Sequence, residues 1–405
     1  MRNFSLGTFQ ASILLFSQAL TVQVLFYPLV IFNIIRHLPS ALTNKKIILG
    51  FFLIFFALIS ILMRGASIEM TILLVRFYCG IILVSTAFTI SKNLQITRML
   101  FWIFALFVFY EYISLMIGVT PFTYVNFVNA GIESEISGRV SLGNNVMRAV
   151  GPTMNSSASG SILAIMFFYI LIGNNKFLLF KSKTLLLVGL LMAFVLTGSM
   201  TAMIVFIFLL LAYVTSNRRP SIERFNSNFL LRLTIIFLVL LIFTIISSYI
   251  FSDYLDGVIA VKWNWRYLME GIDYKLFQIS VLNNLQTVLF GADLTDSTVE
   301  SAGGDFIMLS FVYHFGLIYV SAFIAYLFYI CKSENRVFLF AALLSSIHYG
   351  ALFTLTGQVF FGALIVGSVC TKEFLQCRSK LCDLKIVKPR RLSVVEQAKQ
   401  NQMHT

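Results

Sequence analysis

The chain has 405 residues, of which 59% are hydrophobic, 15% aromatic and only 12% charged. That composition excludes a soluble globular domain, because soluble domains carry about 25% charged residues. The formal net charge is +13 at pH 7. In so apolar a chain we attribute this charge to basic cytoplasmic loops and to contact with anionic lipid head groups. We expect no nucleic-acid partner. We therefore predict an all-α polytopic membrane protein.

Apolar runs follow one another along most of the chain. A bilayer core about 30 Å thick needs about 20 apolar residues per helix, and we predict about 11 transmembrane helices, within about 10–12. The pairs 184–215 and 336–370 can each be divided differently, and residues 1–370 are predicted to form one integral membrane domain. The predicted helices are 12–35, 46–63, 68–90, 98–118, 157–173, 184–197, 200–215, 230–250, 306–330, 336–349 and 351–370.

Lysine and arginine cluster in alternate connections, as they do in short cytoplasmic loops. The clusters lie around 36–46, 92–98, 176–183, 218–232 and 332–336. All of them fall on one side of the membrane if the predicted helices are right. The basic tail 371–405 joins them, so it is predicted to be cytoplasmic and disordered. An odd number of helices then places the N-terminus outside.

Two predicted periplasmic loops, about 119–156 and about 251–305, are much longer than the other connections. Loops of that length usually carry function. The second loop has eight acidic against three basic residues and includes Glu270. Its Arg266 follows Trp265 directly, and this aromatic neighbour suits stacking on a sugar ring or an interfacial aromatic belt equally well.

No metal, disulfide or nucleotide chemistry is predicted from the sequence. None of the five cysteines lies in a predicted outer loop, and the four histidines are scattered without the spacing of a ligand set. The sequence has neither a glycine-rich phosphate loop nor an internal repeat. We expect no cofactor.

Two charged residues fall inside predicted membrane spans. Arg76 lies in helix 68–90 and Glu111 in helix 98–118, and both lie about 10–13 Å below the outer ends of these helices. Charges at this depth are costly unless they are paired or functional. We therefore expect Arg76 and Glu111 to interact, either as a structural ion pair or near a charged substrate.

The segment RAVGPTMNSSASG, residues 148–160, precedes an apolar helix. Its glycine and proline predict a turn, and the small polar residues after them predict a helix N-cap. Arg148 would lie at the membrane surface, where the alternative to a functional role is an arginine that merely snorkels beside a capped helix. The predicted capping residues are Asn155, Ser156 and Ser159.

This segment resembles the Arg-x-x-Gly segment and Asn-centred turn of bacterial O-antigen polymerases of the Wzy type and the related O-antigen ligases. The order of the later motifs is also similar over residues 100–330, although each motif is degenerate. These motifs are LTGSMTAMIVF at 196–206, WNWRYLMEG at 263–271, LFGADL at 289–294 and DFIMLSFVYHFGLIYV at 305–320. The motif at 196–206 occupies the place of a short Ser-Arg turn of the family.

The sequence departs from the family pattern at two positions. Met200 stands where the Ser-Arg turn usually has arginine, and Asp305 stands where the ligases tend to carry a loop histidine. No histidine lies between residues 119 and 305, which favours a polymerase over a ligase.

The resemblance implies an undecaprenyl-diphosphate-linked oligosaccharide as substrate, polymerised on the periplasmic side of the bacterial inner membrane without a metal. Membrane lipids, a chain-length regulator and a flippase are further candidate partners. The catalytic candidates are Arg148 and Arg266 for the diphosphate charge and Asp305, then His348, as general base. The candidates for substrate binding are Arg76, Arg139, Asn155, Trp265 and Glu270.

Three other classes of membrane protein share the size and apolarity of this chain. A lipid-linked oligosaccharide flippase or transporter would commonly show repeated halves, which this sequence lacks. An O-antigen ligase is the alternative within the same family. A metal-dependent membrane glycosyltransferase would resemble proteins with acidic residues in an early outer loop, where this chain offers only RGASIE at 64–69.

We predict that the two long loops face the periplasm and that the tail is cytoplasmic, because of the charge alternation. Single cysteines replacing Glu133, Asp296 and Lys385 test this with a membrane-impermeant thiol reagent on intact cells. The first two should be labelled and the third should not. The parent chain with its native cysteines gives the background, and labelling of Lys385→Cys from outside would contradict the topology.

Overall fold

The computed structural model describes residues 6–20, 22–91, 93–117, 119, 149–172, 181–216, 284–294, 307–346 and 350–370. These residues form helices and one short parallel strand pair. The helices are α1 Leu6–Phe16, α2 Phe26–Arg36, α3 Leu38–Leu42, α4 Lys45–Met63, α5 Ile68–Ile90, α6 Arg98–Met116, α7 Ser156–Ile172, α8 Lys181–Leu196, α9 Met200–Ser216, α10 Leu285–Phe290, α11 Ile307–Phe315, α12 Leu317–Ile330, α13 Arg336–Ser345 and α14 Leu355–Val366. The strands are β1 Ile96–Thr97 and β2 Val369–Cys370, and 3₁₀ turns lie at Gln23–Leu25, Gly151–Thr153 and Ser333–Asn335.

The described chain is helical and apolar enough to enter a membrane. Helices α4, α5 and α6 are long and apolar enough to cross one, and α11 with α12 would make a fourth span if the bent pair is counted as one. Other apolar helices have 10–17 residues and are shorter than the roughly 20 residues a span needs. The number of 11 spans stays a prediction, and its range 230–250 lies outside the described residues.

The prediction of one helix over 12–35 is wrong, because the chain breaks between α1 and α2. Pro28 is the third residue of α2, within the first turn, where its missing N–H costs no helical hydrogen bond. In the interior of one continuous helix, the missing N–H of Pro28 would remove a backbone hydrogen bond. A hydropathy window counts proline only as one more residue and does not register the break.

The prediction of one helix over 306–330 is also wrong, since α11 and α12 meet at an angle of 117°. Gly316 lies at the break with φ 81°, in the region that side chains disfavour. The carbonyl of Leu289 packs against it, where a Cβ atom would stand. The bend therefore depends on glycine and brings α10 against the start of α12.

Helix boundaries agree best with the sequence prediction where a polar side chain caps the first turn. The Ser67 hydroxyl accepts a hydrogen bond from the backbone N–H of Met70 at the start of α5. Asn44 does the same for Lys46 at the start of α4. These caps satisfy N–H groups that have no partner within the helix.

Small residues bring the central helices close together. Helix α14 packs on α5, where Gly362 faces Val84, and Gly80 of α5 faces the Gln358 side chain of α14. Gly160 of α7 faces Thr197. In a membrane, where burial against lipid gives little hydrophobic gain, such close backbone approach is a main source of helix association.

Several segments that the charge pattern assigns to the cytoplasm meet at one end of the molecule. Strands β1 and β2 pair in parallel, which joins the start of α6 to the end of α14. The Lys332 N–H donates to the carbonyl of Ile365. The Lys46 ammonium lies 5.2 Å from the ring centroid of Tyr329. The described parts of the basic connections 36–46, 92–98 and 332–336 thus lie at one end, as the alternation of charge predicts.

The start of α1 lies at this same end. Gly7 packs against the backbone of Asn93, beside the turn that precedes α6. The N-terminal residues of α1 and the predicted cytoplasmic connection 92–98 are therefore on one side. An outer N-terminus and an inner 92–98 connection, both predicted from the sequence, cannot hold together in this fold.

We predict that the N-terminus is cytoplasmic. A green fluorescent protein fused before Met1 should fluoresce, because it folds in the cytoplasm, and an alkaline phosphatase at the same place should be inactive. The same reporters fused after residue 133 serve as the control and should give the opposite result. A fluorescent fusion at 133 with a dark one at Met1 would contradict the placement of α1.

Candidate functional site

The turn before α7 is held by several side-chain hydrogen bonds. We refer to residues 149–155 as the 149–155 turn. Gly151 has φ 66° and Met154 has φ 56°, both in the left-handed region. A Cβ atom at Gly151 would lie 2.5 Å from the Ser159 hydroxyl, so only glycine fits there. The turn is thus held in one backbone conformation.

Ser159 and Thr153 tie this turn to the first turn of α7. The Ser159 hydroxyl donates to the carbonyl of Val150 at 2.7 Å and lies 2.7 Å from the Thr153 hydroxyl. The Thr153 hydroxyl also donates to the carbonyl of Asn155. Ser159 was predicted to cap the helix, but its hydroxyl instead bonds back to the turn, because it lies in the first turn and not before it.

Asn155 caps α7, as the sequence predicts. Its side-chain oxygen accepts from the backbone N–H of Ala158 at 3.0 Å, and the helix begins at the next residue, Ser156. The cap occupies the amide oxygen of Asn155. Its predicted contact with substrate stays a prediction.

Glu111 of α6 lies against the 149–155 turn. Its carboxylate accepts a hydrogen bond from the backbone N–H of Gly151 at 2.6 Å. Glu111 is fully buried, and the side chain of Val108, one helical turn earlier, also contacts Gly151. A buried carboxylate that accepts a backbone N–H makes a strong, charge-assisted hydrogen bond.

The connection between α8 and α9 meets the same turn. The Ala149 N–H donates to the carbonyl of Leu196. The Ser199 hydroxyl donates to the Ser157 hydroxyl at 2.9 Å and accepts from the Ala202 N–H at the start of α9. Two of the motifs that carry the family resemblance, at 148–160 and 196–206, are therefore neighbours in space.

The start of α14 completes the cluster. The Thr356 hydroxyl donates to the carbonyl of Pro152 at 3.1 Å, and Thr354 caps α14 by accepting from the Gly357 N–H. The N-termini of α7, α9 and α14 thus meet at the 149–155 turn. Because helix N-termini carry partial positive charge, the cluster favours an anion. Nothing in the sequence pattern indicated the part played by α14.

Arg76 does not pair with Glu111, and the sequence prediction of that interaction is wrong. Both residues are described, and no ion pair joins them. The Arg76 guanidinium lies 5.9 Å from the ring centroid of Tyr27. Helix α5 packs on α4 and α14, whereas α6 packs on α8. Arg76 and Glu111 were expected to interact because they lie at similar depths on consecutive helices. Their helices pack on different neighbours, so the two side chains do not face each other.

A second polar network surrounds the backbone of Arg76. The Tyr27 hydroxyl donates to the Arg76 carbonyl at 2.7 Å and also to the Gln358 side chain. The buried Gln358 amide donates to the carbonyls of Arg76 and Phe77. This network fixes the start of α14 against α5, and it leaves the Arg76 side chain exposed on the surface of α5.

Arg64 is a structural residue that the sequence reasoning missed. Its guanidinium donates to the carbonyls of Ser60, Ala292 and His314. Burial lowers the pKa of Arg64, and the nearby Asp293 opposes this shift. Its presence in the outer turn RGASIE was the available signal, since outer turns seldom carry arginine. Arg64 fixes the segment 291–294 beside the bend between α11 and α12.

Seven of the nine predicted site residues lie outside the described part of the chain. Their predicted roles remain predictions. Among the described residues, no group of three or more His, Cys, Asp or Glu side chains is placed to hold a metal ion. The residues outside the described ranges are Arg139, Arg148, Trp265, Arg266, Glu270, Asp305 and His348.

Comparison of the chain with protein-family models, with curated proteins and with solved structures gives no match.

We predict that Arg76 and Glu111 are energetically independent. The effects of Arg76→Ala and Glu111→Gln on unfolding of the detergent-purified protein should add to within about 0.5 kcal/mol in the double variant. Thermal unfolding of the three variants measures this. Thr153→Ala with Ser159→Ala is the positive control, because their hydroxyls lie 2.7 Å apart. Coupling of Arg76 with Glu111 as large as in that control would contradict the structure.

Proposed function

We propose that this protein polymerises undecaprenyl-diphosphate-linked oligosaccharide repeat units into O-antigen or capsular polysaccharide at the periplasmic face of the inner membrane. One observation carries the proposal: the two resembling motifs at 148–160 and 196–206 lie together where the N-termini of α7, α9 and α14 meet. That meeting point favours an anion, and a lipid diphosphate is the anionic group of the implied substrate.

The proposed reaction transfers a glycan from its lipid diphosphate to a sugar hydroxyl. The hydroxyl oxygen of the acceptor attacks the anomeric carbon of the donor, and the bond from that carbon to the diphosphate oxygen breaks. The diphosphate leaves with the bonding electrons. A general base, Asp305 first and His348 second, accepts the hydroxyl proton.

Arginine suits stabilisation of the departing diphosphate. Its guanidinium stays charged and donates two parallel hydrogen bonds to phosphate oxygens. Arg148 directly precedes Ala149, whose backbone is fixed by the carbonyl of Leu196. This anchoring supports Arg148 as the principal residue for the diphosphate, with Arg266 as the second. No metal is required for this charge stabilisation.

The remaining candidates would bind the glycan and the lipid. Trp265 would stack on a sugar ring, and Glu270 and Asn155 would accept or donate hydrogen bonds to hydroxyl groups. Arg139 and the exposed Arg76 would contact phosphate groups.

A flippase or transporter of lipid-linked oligosaccharides and an O-antigen ligase are the alternatives. Deletion of the gene in its host separates polymerase from ligase when the surface polysaccharide is run on a gel. Loss of a polymerase leaves a single repeat unit on the core. Loss of a ligase leaves long chains on the carrier. Loss of a flippase leaves carrier-linked single units on the cytoplasmic side.

We predict that Arg148 is required for polymerisation. Arg148→Ala should lower the rate about a hundredfold, since loss of one charge-assisted interaction with the leaving group costs about 3 kcal/mol. Arg148→Lys should also lose much of the activity, because an ammonium cannot bind two phosphate oxygens in the forked geometry of a guanidinium. Polysaccharide chain length and protein amount in the membrane are measured for each variant.

Arg36→Ala is the matched control, because Arg36 is an exposed basic residue at the end of α2, far in the chain from the cluster. It should leave chain length unchanged. If capping alone mattered, Asn155→Ala would reduce protein amount more than Arg148→Ala. Normal chain length with Arg148→Ala at normal protein amount would refute the proposed mechanism.

A further inference from the structure

Glu111 is a buried charged residue that the proposed reaction does not use. It lies on α6, outside the motifs that carry the family resemblance, and its side chain is 0% exposed. Its carboxylate accepts the Gly151 N–H at 2.6 Å. A carboxylate is costly to bury in a helical bundle unless its charge is compensated. The hydrogen bond to Gly151 is one interaction that compensates this charge.

The Gly151 N–H needs an acceptor that the turn does not supply. Gly151 has φ 66° and is the first residue of the 3₁₀ turn Gly151–Thr153, so its N–H is one of the donors that a helical turn leaves without an internal partner. A buried N–H left without an acceptor costs about 1–3 kcal/mol. The Glu111 carboxylate supplies that acceptor from a neighbouring helix and so fixes the turn from outside.

The surroundings of Glu111 stabilise a negative charge. The N-termini of α7 and α14 both meet the 149–155 turn, through Asn155 and through the Thr356 contact with Pro152. The positive ends of these helix dipoles lie close to the turn that Glu111 contacts through Gly151. A carboxylate is thus better suited to this position than a neutral apolar side chain.

We propose that Glu111 is a positioning residue for the turn that follows Arg148, acting as hydrogen-bond acceptor to Gly151. Its effect on catalysis rests on the proposed function. Its effect on the turn does not. Gly151 follows Arg148 by three positions in the chain, so release of the Gly151 N–H removes one of the hydrogen bonds that hold the turn after the arginine.

The activity test compares Glu111→Gln with Glu111→Ala. Glutamine keeps an oxygen acceptor for the Gly151 N–H and removes the charge, whereas alanine removes both. Membranes containing each variant are supplied with the carrier-linked repeat unit extracted from the deletion host. Per molecule of folded protein, Glu111→Ala should lower kcat at least about tenfold with KM changed less than about threefold. Glu111→Gln should stay within about threefold of the parent in both.

A second measurement reports the turn without reference to activity. Val150 is buried beside Gly151, and Val150→Cys places a thiol there. A small membrane-impermeant thiosulfonate should label this thiol at least about fivefold faster when Glu111→Ala is added, because opening of the turn exposes it. The rate should rise less than about twofold when Glu111→Gln is added, because glutamine keeps an acceptor but makes a weaker, uncharged hydrogen bond. The parent chain without Val150→Cys gives the background from native cysteines.

Glu69→Ala is the matched control, because Glu69 is an exposed carboxylate in the first turn of α5. It should change neither kcat nor the labelling rate. One outcome is that Glu111→Ala speeds labelling of the Val150→Cys thiol while neither the parent nor any variant makes polymer. In that case the positioning role holds and the proposed function fails. If the parent makes polymer and Glu111→Ala keeps both its kcat and its slow labelling, the positioning role is refuted while the proposed function stands.

Equal loss in Glu111→Gln and Glu111→Ala would also refute the inference, because the charge and not the acceptor would then matter. If Glu111→Ala does not fold, Glu111→Leu keeps much of the side-chain volume and also lacks a hydrogen-bond acceptor for the Gly151 N–H. In that variant, combined with Val150→Cys, faster labelling supports the inference and unchanged labelling overturns it.

Discussion

A helix that ends inside a bilayer must find partners for its free N–H and carbonyl groups within the protein, because no water is available to them. Much of this fold follows from that constraint. Several of its apolar helices have 10–17 residues, fewer than the roughly 20 that a span needs, and the first turns of three of them pack against neighbouring segments. Asn155, Ser199 and Thr354 each accept a backbone N–H in the first turn of such a helix. The polar residues of the cluster are those that close helix ends.

The same bonds create a site for negative charge. Once α7, α9 and α14 are capped and joined, their positive ends point toward one short turn. The Glu111 carboxylate already lies beside these positive helix ends, where it accepts the Gly151 N–H. A diphosphate in the same region would meet an environment arranged in advance, which is the condition under which electrostatic stabilisation is most effective.

The sequence predicted the bounds of individual helices better than it predicted the breaks between them. Helix α5 has the predicted bounds because a capping residue, Ser67, directly precedes a long and mostly apolar segment. The breaks near Pro28 and at Gly316 were missed. A single proline or glycine has little weight in a hydropathy average over about 20 positions.

The site was predicted in the same uneven way. The cap by Asn155 depends on residues three apart in the chain, so it could be read from the sequence. The partner of Glu111 could not, because depth along a helix says nothing about which neighbour the helix faces. Arg76 lies at a similar depth but is exposed beside Tyr27. Contacts between distant segments depend on packing, which one sequence alone does not reveal.

The hydrogen bond from Thr356 to Pro152 has a consequence for biosynthesis, because its two partners are 204 positions apart in the chain. The ribosome delivers the turn early and α14 near the end of the chain. During translation the turn is made before the later segments are inserted. The Pro152 carbonyl therefore gains its Thr356 donor only after α14 has been inserted. A nascent chain therefore carries the cluster without one of its three helices until α14 has been inserted.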